Sequence, residues 1–63
     1  MKITKAMGMA CLRELETNEY ESAATGALAE LFGNEFAEFE ARYSQNELKI
    51  SLALCAAIAG VKP

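Results

Sequence analysis

The side chains able to do chemistry are two cysteines, Cys11 and Cys55, and nine glutamates; histidine, aspartate and tryptophan are absent. A cysteine nucleophile needs a base beside it, and only Glu or Lys is on hand. Both cysteines stand in apolar stretches, where burial raises a thiol's pKa and makes it inert. Two cysteines 44 positions apart with no histidine cannot close a zinc site. Nor can they form the dense framework of a small secreted domain. A single bridge is open to them, and two reduced core thiols are the expectation. No glutamate run has EF-hand spacing. Glu35 and Glu38, three apart on a helix, read as a solvated face rather than an acid–base pair. Gly8, Gly26, Gly33 and Gly60 are scattered and make no phosphate loop. A protein without catalysis, metal or cofactor is expected.

The glutamates are the informative feature. Net charge is −3, but eight glutamates and no Lys or Arg fall between Glu14 and Ala41. Lys2, Lys5 and Arg13 precede this block, and Arg42, Lys49 and Lys62 follow it. Such a block repels phosphate backbones and attracts basic surfaces, so the expected partner is a basic protein surface and not nucleic acid. Glu19, Glu21, Glu35 and Glu47 have a structural reason, since they fall in first turns, where the helix dipole favours negative charge. Glu38 stands four before Arg42, a favourable helix pair. Glu14, Glu16, Glu30 and Glu40 fall in or just past last turns, where the dipole disfavours a carboxylate. Solubility is one reason to keep them; a basic partner that meets them is the sharper one. These four, with Met9 and Leu12 as apolar anchors, are the expected partner-binding residues.

What positions them must be helices, for no strand pattern competes. Sixty-three residues make one small domain of marginal stability. Ile3, Met7, Cys11 and Leu15 recur every four residues beside Ala6 and Ala10, one stripe of a first helix with Thr4 as N-cap. Gly8 inside it is unfavourable for a helix, so it predicts a close contact. Asn18 to Glu21 reads as a capping box opening a second helix, whose apolar face is Tyr20, Ala24, Ala27, Leu28 and Leu31. Phe32, Phe36, Phe39 and Tyr43 share a face rotated from that one. Gly33 as C′ and Asn34 as N-cap end the second helix near Phe32 and open a third over Glu35 to Tyr43; one kinked helix is the alternative.

The last helix has the clearest start. Ser44 and Glu47 form a capping box, with Tyr43 and Leu48 as its hydrophobic staple. It runs to about Ala59, with Gly60 at its end and Pro63 beyond. Leu48, Leu52, Cys55 and Ala59 line one side; Ile50, Leu54, Ile58 and Val61 line another. So small a chain has little to surround such a helix. The expected architecture is therefore an all-α bundle of three to four short helices, completed by homodimerisation through Leu48, Ile50, Leu52, Leu54 and Ile58.

Ala56-Ala57-Ile58-Ala59-Gly60-Val61-Lys62-Pro63 resembles the end of the first helix and the turn of a helix-turn-helix DNA-binding unit. The resemblance covers eight residues and stops where a recognition helix would begin; it implies a DNA-binding regulator as one alternative. No signal peptide is read, and the longest apolar run, Ile50 to Val61, is too short for a membrane span; the cytoplasm is the expected location. By size and charge alone, the chain looks like small phage and mobile-element inhibitors, including host-takeover and anti-CRISPR types. The leading expectation is an inhibitor or adaptor that occupies a partner's surface. A self-assembling module is the alternative.

Overall fold

The computed structural model describes residues 2–62. Pro63, expected as the stop beyond the last helix, lies outside them. Among the described residues every regular element is helical: α1 Lys5–Thr17, α2 Ser22–Phe32, α3 Phe36–Arg42 and α4 Gln45–Ile58, with a 3-10 turn at Gly33–Glu35. Helices α1, α2 and α4 pack together and supply the core; α3 contributes no buried residue. None of these helices is long and apolar enough to cross a membrane.

The interior is built from small side chains. Ala10, Cys11, Ala24, Ala27, Leu28, Leu52, Cys55 and Ala56 are buried. Small residues bury little area each, so the helices must approach closely to exclude water. Gly8 makes this possible for α1 and α4. A Cβ built on Gly8 would lie 2.5 Å from the Ala59 Cβ and 3.0 Å from a Val61 methyl. The close contact expected at Gly8 is thus present, and its partner is the end of α4. Since Gly8 meets Ala59 while Cys11 meets Cys55, the two helices run antiparallel.

Of the four N-caps expected, at Thr4, Asn18, Asn34 and Ser44, those at Thr4 and Ser44 form. The Thr4 hydroxyl accepts from the Met7 N–H at 3.2 Å, and Met7 Sδ accepts the Thr4 N–H in return. Ser44 Oγ accepts from the Glu47 N–H at 3.2 Å, and the Glu47 carboxylate accepts the Ser44 N–H at 3.0 Å. At the far end of α4, Gly60 takes φ +77°. Its N–H reaches the Ala57 carbonyl, and the Val61 N–H reaches that of Ala56, which is the Schellman arrangement. That turn lays Val61 back onto Gly8.

Three expectations are corrected. Asn18 does not open α2. It closes α1 in the left-handed conformation, φ 61°, with its N–H on the Glu14 carbonyl. Helix α2 begins at Ser22, and Glu21 at its N-cap makes no side-chain cap bond. Tyr20 therefore precedes α2 and is 73% exposed rather than on its inner face. At the other end, α2 stops at Phe32 as expected, and Gly33 has positive φ. Asn34, however, sits in the 3-10 turn and caps nothing, and the short helix starts at Phe36. Finally, Leu52 cannot lie on an interface between copies, because it is the largest of the fully buried side chains. Leu48 is half-buried against the same core. The apolar residues on the open side of α4 are Ile50, Leu54 and Ile58 with Ala53 and Ala57.

Candidate functional site

The loop between α1 and α2 is held by one ion pair. Arg13 donates from Nε and Nη2 to the two Glu21 oxygens at 2.9 and 2.8 Å. These bonds hold the Glu21 carboxyl below its ordinary pKa, against partial desolvation. The Glu21 N–H donates to Glu14 Oε1 at 3.1 Å. Glu14, near the end of α1, is thereby fixed in place, and its Oε2 accepts no hydrogen bond among the described residues. Tyr20 is carried on the same loop.

Across from this loop stand the rings of Phe32 at the end of α2, Phe39 in α3 and Tyr43 just past it. Phe32 and Phe39 stack with ring centroids 4.0 Å apart, and Phe39 and Tyr43 with centroids 5.3 Å apart, all three planes within 18° of their neighbour. The face shared by these rings was expected; their stacking follows from the break at Gly33. Between the loop and the aromatics lies a hollow of about 100 Å³ whose walls include Glu14, Tyr20, Phe36, Phe39, Glu40 and Tyr43. A second hollow continues from it past Glu14, Tyr20 and Tyr43 toward Lys49. Two carboxylates thus face a groove with aromatic walls.

The expected partner-binding residues do not form one patch. Glu14 and Glu40 share the groove. Glu16 lies on another hollow with Leu12, Leu15 and Lys62. Glu30 accepts the Lys2 N–H at 3.2 Å and so ties down the N-terminal segment. Met9 is 46% exposed, whereas Leu12 is half-buried against the core. All four glutamates do lie in last turns, as read from the sequence. Two of them offset the dipole's penalty by accepting backbone N–H groups from outside their helix. Sequence reasoning missed Tyr20, Phe39 and Tyr43 as site residues: Tyr20 was placed on the apolar face of α2, whereas it lies in a loop, and the periodic face of Phe39 and Tyr43 read as packing. The one hint was Tyr20 standing between Glu19 and Glu21.

No known protein family matches this chain. No curated protein and no solved structure matches it either. The site must be read from its own chemistry.

The cysteines give that chemistry no nucleophile. Cys11 and Cys55 are free and fully buried, facing each other across α1 and α4. Burial pushes the Cys11 thiol up to about 12, with the neighbouring Cys55 adding to the effect. Burial also raises Cys55, although its hydrogen bond with Cys11 opposes the rise. A folded-state pKa above the unfolded value means that this stabilisation is complete below about pH 9 and is lost as pH climbs from there toward 12. The urea midpoint is expected to fall across pH 9–11 more steeply in the wild type than in Cys11→Ala. Cys11→Ala removes this one titrating group, so the difference isolates the thiol. Parallel pH profiles would refute this account of Cys11.

Among the described residues no group of three or more His, Cys, Asp or Glu is placed to hold a metal ion.

Proposed function

We propose that this chain is a non-catalytic binding module that acts by occupying a basic surface on a partner protein, as an inhibitor or adaptor. The observation that carries the reading is the groove where Glu14 and Glu40 meet Tyr20, Phe39 and Tyr43. It stands within the block of eight glutamates uninterrupted by a basic residue. Long-range attraction from the block speeds encounter, and the rings and apolar walls slow departure. The two adjacent free thiols suit a reducing compartment, so the cytoplasm is the proposed site of action.

The test is charge neutralisation at Glu14, Glu16, Glu30 and Glu40. Gln keeps the carbonyl oxygens that Glu14 and Glu30 use to accept backbone N–H groups, so the fourfold Glu→Gln variant is expected to remain folded. Its association rate with the partner is expected to fall at least about tenfold at low salt, with a smaller change in dissociation. An unchanged association rate would reject the reading.

A second reading rests on a separate observation. Ile50 is 65%, Leu54 47% and Ile58 46% exposed, and they recur every four residues on one face of α4. We propose that this face pairs with a second copy. An antiparallel pairing centred on Leu54 sets Ile50 against Ile58 at both ends, which is self-complementary. Such a dimer leaves the groove free, so both readings can hold together.

A further inference from the structure

We infer that the hollow between the α1–α2 loop and α3 is a pocket for an arginine side chain of the partner. This inference rests on the binding-module reading and specifies what its groove recognises.

A cation is favoured by the carboxylates and aromatic rings of the hollow, whose other walls are Thr25, Leu28 and Leu48. Aromatic faces attract positive charge; Tyr20, Phe36 and Tyr43 line the hollow, together with Phe39, whose own faces are stacked between Phe32 and Tyr43. Carboxylates stand at two of its sides. Glu14 approaches from α1 with one oxygen engaged by the Glu21 N–H and the other facing no donor. Glu40 approaches from α3 and is exposed. None of the chain's six Lys and Arg lines the hollow. Arg13 is committed to Glu21, and Arg42 lies 3.5 Å from Glu38. Lys49 borders only the adjoining hollow. Lys62 lies by Glu16 and Leu12.

The geometry selects guanidinium over ammonium. Phe32, Phe39 and Tyr43 are already stacked as near-parallel plates, and a planar guanidinium can lie against such rings as a further plate. Its fork offers donors in two directions, one for each carboxylate. It is also weakly hydrated, so entering a hollow with apolar walls costs it less than it costs a lysine ammonium.

The test titrates the full-length chain with three short peptides, identical except for a central arginine, lysine or citrulline, and follows ring and amide resonances by NMR. The arginine peptide is expected to shift Tyr20, Phe39 and Tyr43 saturably. Citrulline, planar but neutral, should shift none of them, and lysine should bind several-fold more weakly. Tyr20→Ala removes one wall; because Tyr20 is 73% exposed, the fold should survive. It is expected to weaken arginine binding about threefold. Equal binding of lysine and arginine would overturn the guanidinium assignment. Shifts spread evenly over Glu16, Glu30 and the remaining carboxylates, unaffected by Tyr20→Ala, would overturn the pocket and leave the acidic-surface reading standing. No shift anywhere would overturn both.

Discussion

Leu52→Ala is expected to remove about 2–5 kcal/mol of folding stability, while Leu54→Glu, two residues on, leaves the protomer folded. Leu52 is 1% exposed and touches the small-residue core on all sides, whereas Leu54 is 47% exposed on the opposite face of α4. Deleting three heavy atoms from a close-packed interior loses both their transfer energy and their contacts, because alanine-rich neighbours held by helix backbones cannot collapse into the space. A core this small rarely supplies more than about 3–5 kcal/mol in total, so the Leu52 variant should be largely unfolded near room temperature. Urea titration followed by circular dichroism reads both variants. Sedimentation of Leu54→Glu then reports on pairing alone: a dimer in the wild type and a folded monomer in the variant are expected. A stable Leu52→Ala protein, or an unfolded Leu54→Glu, would mean that the inner face of α4 has been misassigned.

Gly8→Ala should destabilise the chain although alanine is the better helix former by about 1 kcal/mol. The new Cβ would stand 2.5 Å from the Ala59 Cβ, and neither atom can swing away, since each is fixed to its backbone. The helices must separate, and the loosened core costs about 1–3 kcal/mol. Gly8→Val should be worse. Ala59→Gly removes the opposing atom, so the double variant Gly8→Ala/Ala59→Gly should recover part of the loss even though Ala59→Gly alone is unfavourable. Thermal unfolding of the four proteins gives the coupling energy directly. Additive losses would show that the two positions do not touch.

These two residues also show what the sequence could reveal. Gly8 was legible because a glycine in mid-helix is locally unfavourable and needs a tertiary reason. The caps at Thr4 and Ser44 were legible because an N-cap bond is a contact within four residues. The box read at Asn18 failed because Glu21 is held by Arg13, eight residues earlier, and that pairing exists only once the chain has turned. The two apolar sides of α4 are alike in hydropathy. Which one turned inward was decided by Gly8 and the small residues beside it, so Leu52 was grouped with Ile50, Leu54 and Ile58. The groove was half legible: Glu14 and Glu40 were singled out by their unfavourable places at helix ends. What unites them, and separates both from Glu16 and Glu30, is Tyr20 on a loop and the turn at Gly33 that lays α3 against α2, so that Glu40 and the rings face the hollow that Glu14 also lines.

The central claim is that the acidic groove is a binding surface and not merely a solvated one. Its most direct test is capture from a lysate by the tagged full-length chain, at ~0.1 M and ~0.5 M salt, with the Glu14→Gln/Glu40→Gln variant in parallel. The screening length falls from about 10 Å to roughly half that between the two salts. The account predicts one stoichiometric protein partner, with arginines on its surface, retained by the wild type at low salt, lost at high salt and lost by the variant. A partner held equally by both proteins at both salts, or recovery of the chain alone, would contradict it.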